Sequence, residues 1–154
     1  MKYKLIIIIT ALIIIGGITF VIYKNNNKPF YLNEKYYNQT DFIEVSAKDV
    51  NMLIENKSSF VIYVYNNFCN FKIPCESIFK EFIDTNKVGI LKMKFEDFKN
   101  TDLYKKVKLA PTVIIVKDGK IVDYLQSDSD EDTNRYQDIK SFEKWIKKYV
   151  ILKK

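Results

Sequence analysis

Leu5 to Tyr23, LIIIITALIIIGGITFVIY, is a run of 19 residues without a charge, and nothing else restricts the chain as much. At ~1.5 Å per residue it is long enough as a helix to cross a hydrocarbon layer of ~30 Å. It is apolar on every side, unlike an amphipathic surface helix, and a polar segment follows it directly. A cleaved secretory signal has an apolar region of about 7–15 residues and closes on a small-x-small site. This run closes on ITFVIYKNNN, with neither such a site nor a cysteine to carry lipid. The expectation is an uncleaved signal anchor over residues 5–23 behind a short tail, residues 1–4; a removed signal peptide is the other reading. Lys2 and Lys4 face Lys24 and Lys28 across the span, so lysine asymmetry does not orient it. The short leading segment reads as the inner tail of a single-pass cell-membrane protein whose C-terminal domain is extracytoplasmic. Anything after the span would then sit in disulfide-permissive space.

The net charge of +6 is concentrated near the span. Four of the 25 basic residues fall in residues 1–28, leaving 21 against 19 acids, or +2, for the rest. So balanced a remainder carries no argument for nucleic acid as a partner. The chain has no histidine, which removes histidine-based metal sites and histidine acid–base catalysis. No cofactor and no metal ligand set is expected. SDSDEDTN, residues 127–134, spaces Asp128, Asp130 and Asp132 like calcium-loop ligands, but Thr133 and Ile139 stand where such a loop needs Gly and Glu. It reads as a solvated acidic loop.

Residues 24–40 are polar, rich in Asn and Tyr and without periodicity, and read as a tether with a few ordered residues at its end. Residues 41–154 suit one small domain. A short extended run, Phe42 to Val45, precedes an S-x-x-D capping box, Ser46 and Asp49, and a helix carrying Val50, Leu53 and Ile54 on one face. SFVIYVYNN is an apolar, β-branched and aromatic run suited to a buried strand. Cys75, Ile78, Phe79, Phe82 and Ile83 then follow the spacing of a half-buried helix. Val88 to Phe95 reads as a strand and Thr101 to Val107 as a short helix. TVIIV and IVDYL, joined through Asp118-Gly119, read as a β-hairpin. Ile139, Phe142, Trp145, Ile146, Tyr149 and Val150 mark a last helix. The alternation predicts an α/β fold, a mixed sheet flanked by helices.

FVIYVYNNFC, with Cys69 after a buried strand and Phe68 just before it, and LAPTVIIVKDGKIVDYL stand in an order and at a separation that resemble the thioredoxin family. The resemblance covers residues from about 42 to 152 and implies a thioredoxin-like fold. It implies that Cys69 attacks a substrate disulfide and Cys75 resolves the mixed disulfide. It also implies that Pro111 is a cis-proline whose loop, with Ala110 and Thr112, docks substrate beside the sulfurs, Phe68 standing where the family usually has Trp. Four positions depart from the family pattern: the spacing is C-x5-C, Glu76 follows the second cysteine, Tyr63 takes the place of a buried acid, and Lys80 replaces a helix-kinking proline.

The wide spacing has a geometric consequence. Residues six apart on a helix are rotated by ~240° and offset by ~9 Å, beyond the ~4.4–6.8 Å Cα separation of a disulfide. Cys69 and Cys75 therefore pair only if a loop lies between them. Pro74 supports that arrangement, because proline suits the first helical position and turns Ile73 toward extended backbone. The helix would start at Pro74, with Cys75 in a first turn that stabilises thiolate, offset by Glu76. The roles of the cysteines stay open on this ground: Cys69 attacks if loop exposure governs, Cys75 if the dipole does.

Two functions follow. One is a thiol–disulfide oxidoreductase, anchored by residues 5–23, acting on thiols and disulfides of exported proteins and recharged by a redox partner. The other is a redox-inactive thioredoxin-like accessory or binding module, of the bacteriocin-transport accessory type, in which Cys69 and Cys75 form a structural staple.

Overall fold

The apolar run SFVIYVYNN forms the central strand, β2 (Phe60–Tyr65), with Phe60 to Val64 all buried. The computed structural model describes residues 28–66 and 74–153; the expected span over 5–23, Phe68 and Cys69 lie outside them. Among the described residues no helix is long and apolar enough to cross a membrane. Side chains alternate between the faces of a strand, so one buried at both parities needs cover on both sides. β3 (Leu91–Lys94) pairs with β2 in parallel and β4 (Thr112–Lys117) pairs antiparallel on its other side. β1 (Ile43–Glu44) lies outside β3 and β5 (Lys120–Tyr124) outside β4, giving the mixed order β1-β3-β2-β4-β5. The β4–β5 turn has positive φ at Asp118 (50°) and Gly119 (74°), as an Asp-Gly hairpin requires. A Cβ at Gly119 would also lie 2.4 Å from the Ile54 carbonyl oxygen, so no other residue fits.

α1 (Ala47–Glu55) opens on the expected capping box: the Asp49 N–H donates to Ser46 Oγ at 3.3 Å and the Ser46 N–H to Asp49 Oδ2 at 2.9 Å. Asn51 ties α1 to a 3-10 turn (Asp102–Lys105), accepting from the Asp102 N–H at 2.9 Å and donating to Asn100 O at 3.1 Å. α2 (Cys75–Asn86) buries Cys75, Ile78, Phe79, Phe82 and Ile83, the stripe the spacing predicts. It packs on α5 (Ile139–Ile146), where the Phe142 ring lies 4.6 Å from Phe79 and 5.2 Å from Phe82. Phe79 meets Tyr63 of β2 edge-on at 4.9 Å, which puts α2 on that face of the sheet. Each fully buried ring of this kind contributes roughly 1.5–3 kcal/mol of apolar burial.

Several expectations are corrected. Phe30, Leu32, Tyr36 and Tyr37, from the stretch read as tether, belong to the domain: Phe30 bridges Val150, Leu32, Tyr36 and Tyr37 are buried, and the Tyr37 hydroxyl donates to Ile151 O at 2.8 Å. Aromatic area on a polar background bought this packing where periodicity gave no sign of it. The strand expected from Val88 begins only at Leu91, because Val88 bridges Tyr37 and the Gly89 N–H is taken by Tyr36 O. Phe95 leaves that strand and opens a short helix, α3 (Phe95–Phe98), drawn out by ring contacts among Phe95, Phe98 and Tyr104. The short helix expected over Thr101–Val107 is reduced to the 3-10 turn. The last helix ends at Ile146, leaving Val150 as a bridge residue. The acidic stretch is no solvated loop: Asp130–Gln137 forms helix α4, with three acids in its first turn suiting the dipole. Within it Asp132 is buried, accepts from the Gln126 N–H at 2.8 Å and pairs with Arg135.

Candidate functional site

The start of α2 is where the sequence predicted chemistry. Pro74 is the N-cap, with φ −56° and ψ 122°, so the helix begins one residue later than expected and Cys75 is its first residue. The reason is local: an N-cap keeps a non-helical ψ, and proline brings the matching φ without a donor to strand. Proline offers no side-chain cap, and the Ser77 N–H donates to Pro74 O at 2.9 Å. Cys75 is 1% exposed and shares the buried stripe with Phe79, one turn further on.

The Ala110–Pro111 peptide is cis, as the resemblance implied. Its loop lies against the start of the cysteine segment: Asn66, directly after β2, donates from Nδ2 to Ala110 O at 2.8 Å. Pro111 is buried, Ala110 half-buried, and Thr112 fully buried with its hydroxyl donating to Leu125 O at 2.7 Å. Tyr136 of α4 joins the two halves. Its hydroxyl donates to Pro111 O at 3.0 Å and reaches Leu125 O at 3.1 Å, while its ring lies 6.0 Å from Phe79. Burial first, then the negative charge available at Cys75 and Asp132, pushes the Tyr136 phenol well above its ordinary range, so it remains a donor and is no base.

On the solvent side, Glu76 is held by Lys92 of β3 at 2.8 Å, and Glu44 approaches the same ammonium at 3.5 Å. Lys92 also lies 5.3 Å from the Phe42 ring centroid and 4.9 Å from that of Tyr65. Burial opposes its charge, but Glu76 and Glu44 outweigh that and raise its pKa. The unfavourable carboxylate expected next to Cys75 is thus largely compensated.

Of the predicted site residues, Ala110, Pro111 and Thr112 share one loop, held by Asn66 and Tyr136, and the Tyr136 ring packs on Phe79, one helical turn from Cys75; Cys69 and Phe68 lie outside the described residues. Asn66, Lys92 and Tyr136 were not found by sequence reasoning. Asn66 was legible as the polar residue ending an apolar strand, whereas Tyr136 stands alone among polar residues and gave no pattern. A groove of about 390 Å³ lined by Tyr36, Ile43, Met52 and Leu53 runs along the β1 edge and includes Glu44 but neither Cys75 nor the Pro111 loop. Among the described residues no cluster of His, Cys, Asp or Glu could hold a metal ion.

No protein-family model matches the sequence, and no curated protein matches it either. Solved structures do. A mutant thioredoxin from Halobacterium salinarum NRC-1 superimposes with a TM-score of 0.50 at 15% identity, covering 76% of this chain and 96% of that one. A thioredoxin from Schistosoma mansoni gives a TM-score of 0.50 at 23% identity, covering 72% and 97%. The chain has a thioredoxin-like α/β fold, a mixed sheet flanked by helices.

Proposed function

We propose that this chain is a thiol–disulfide oxidoreductase, held at the cell membrane by residues 5–23 with its domain extracytoplasmic, acting through Cys69 and Cys75 on disulfides of exported proteins. The observation that supports it best is a buried cysteine at the first residue of a helix together with a cis-proline loop whose Pro111 O accepts from Tyr136, the ring of which packs 6.0 Å from Phe79, one helical turn beyond that cysteine. A helix start favours thiolate, and a loop beside it with an extended backbone can pair with an incoming chain.

In the forward exchange the Cys69 thiolate attacks one sulfur of the client disulfide. A Cys69–client bond forms, the client bond breaks, and the released sulfur takes up a proton. Cys75 then loses its proton and attacks the Cys69 sulfur, forming the Cys69–Cys75 bond and freeing the second client thiol. The client gains two electrons, and the oxidised pair regains them from an external dithiol, the redox partner; with the steps reversed the chain oxidises its client.

Trapping tests this. Cys75→Ser should accumulate mixed disulfides through Cys69, and Cys69→Ser few or none; trapping only in the latter reverses the roles. A second reading, the redox-inactive accessory module, is favoured by Tyr63, a buried phenol six residues before Cys69 in place of an acid. It predicts no trapping in either variant and a Cys69–Cys75 bond that resists strong dithiol in the folded state. Protease reaching the domain once the envelope is opened, while a cytosolic marker stays protected, tests the orientation; equal protection of both overturns it.

A further inference from the structure

We infer that the domain rests on the membrane that anchors it, through an end face that carries Tyr31 and a lysine-lined concavity and fits anionic lipid headgroups, with the Cys75 site held at the opposite end. The inference rests on the anchor reading of residues 5–23 and not on the redox chemistry. Five residues of fully extended chain, from Tyr23 to Lys28, span at most ~18 Å, so the start of the domain stays within reach of the headgroups. What surrounds that start is fixed by the backbone: the Phe30 N–H donates to Tyr149 O at 2.7 Å and the Ile151 N–H to Phe30 O at 2.8 Å. Lys117 lies 5.2 Å from the Phe30 ring centroid. Tyr37 closes the same end: its hydroxyl donates to Ile151 O at 2.8 Å and accepts from the Leu32 N–H at 3.0 Å, and Lys153 lies 4.6 Å from its ring centroid.

Two features of this end fit a headgroup layer. Phe30 is half-buried and Leu32 buried, but Tyr31 between them is 58% exposed; with Met52 it is one of two exposed large hydrophobic residues among the described residues. Tyrosine, with an apolar ring and a polar tip, suits the boundary between lipid and water. Beside Tyr37, a concavity of about 330 Å³ is lined by Asn38, Asn86, Lys87, Lys147 and Lys153 and by no carboxylate. Lys147 and Lys153 pair with Glu143 and Glu34 outside it, while Lys87 is exposed and in no ion pair among the described residues. An exposed tyrosine alone needs no explanation, and lysines at the C-caps of α2 and α5 suit the dipoles. Neither reason accounts for their meeting where the chain leaves its anchor. The site lies at the other end: α2 runs from Cys75 to the concavity at Asn86, ~17 Å at ~1.5 Å per residue. β2 runs the same way, from Ser59, whose N–H donates to Asn33 Oδ1 at 2.7 Å, to Asn66, which holds the Pro111 loop. Docking by this face turns the cysteine end away from the bilayer and toward clients.

The test places the full chain in lipid discs of phosphatidylglycerol that carry a small share of gadolinium-chelating lipid, and reads amide relaxation by NMR. The Asn38, Lys87 and Ile151 amides should relax several-fold faster than those of Ser77 and Thr112, at the cysteine end. Discs of phosphatidylcholine, or ~1 M salt, where the screening length falls to ~3 Å, should flatten that gradient. Lys87→Gln should lower the docked-to-free ratio about fivefold, the effect of one lysine at an anionic surface. Tyr31→Ser should flatten the gradient in both lipids; both changes fall at exposed positions and leave the core intact. A gradient that ignores lipid charge, salt and both variants shows a domain hanging on its tether and overturns the proposal. So does a reversed gradient, which would put the cysteine end against the lipid. Failure of the anchor reading would appear separately, as release of the chain from cell membranes by alkaline carbonate with the gradient in discs intact.

Discussion

α1 and α2 carry the same amphipathic pattern and flank the same sheet, yet they begin in opposite ways. α1 opens on Ser46 and Asp49, which satisfy each other's backbone N–H groups and close the end off. α2 opens on Pro74, which has no capping side chain, and puts a buried cysteine at its first position. A start closed by its own capping box has turned its dipole on itself; one whose N-cap is a proline has no capping side chain of its own, and its dipole still favours a neighbouring anion. The contrast separates a helix start that serves the fold from one disposed toward chemistry, and each prediction below tests that separation.

The largest effect is expected from Cys75→Ser. It should abolish turnover of a disulfide substrate, measured as reduction of insulin by dithiol, while leaving the thermal melt within a few degrees of the parent, since a serine is close in volume. Ser46→Ala at the other helix start should leave turnover unchanged. If Cys75→Ser turns over normally, the chemical character of the α2 start is refuted.

How far this contrast was legible differs between the two ends. The α1 cap was readable because S-x-x-D is a local code, needing only residues three apart. The hairpin at Asp118-Gly119 and the α2 stripe were readable for the same reason: turn chemistry and helical period are written in adjacent residues. The site was readable only in part. Cys75 and Pro111 were found, but Tyr136 acts across 25 residues of chain and Lys92 across 16 to Glu76, and no local pattern announces such pairings. The acidic stretch misled because charge alone does not distinguish a solvated loop from a helix whose Asp132 turns inward to a strand-end N–H and an arginine. The packing of Phe30 through Tyr37 was hidden by the polar residues between the aromatics.

The next effects concern what each helix contributes to stability. Phe79→Ala, at a fully buried ring touching Tyr63, Tyr136 and Phe142, should cost about 3–5 kcal/mol in urea unfolding. Val50→Ala on α1, also fully buried, should cost roughly 2 kcal/mol. Equal losses would mean that the two helices are interchangeable as supports. Ser46→Ala should cost about 1 kcal/mol by removing the cap, and its pH dependence carries a sign. The Ser46 side chain and backbone N–H hold the Asp49 carboxyl below its ordinary value of 3.8. A carboxyl depressed in the folded state contributes stability above the unfolded pKa and loses it as pH falls through the lower folded one. The Tm difference between parent and Ser46→Ala should therefore be constant near neutrality and shrink below about pH 4, the Asp49 N–H to Ser46 Oγ bond leaving a residue of it; a difference undiminished in strong acid would show that the carboxylate is not part of the cap.

The smallest effect probes a charge at the α2 start that works against a thiolate. Glu76 lies in the first turn, where a carboxylate suits the dipole but opposes a neighbouring negative sulfur, and Lys92 answers it at 2.8 Å. Glu76 is about half exposed and solvent screens the pair, so shifts of a few tenths of a pH unit are expected rather than whole units. In the Cys69→Ser chain, with thiolate formation followed by the Cβ resonance of ¹³C-labelled cysteine, Glu76→Gln should lower the Cys75 midpoint and Lys92→Gln should raise it, since the second change leaves Glu76 and Glu44 without their shared cation. The double variant should fall between them, and all three shifts should contract in high salt. A Lys92→Gln midpoint that does not rise would mean that the Glu76 carboxylate is not felt at the sulfur, and that this ion pair plays no part in the contrast between α2 and α1.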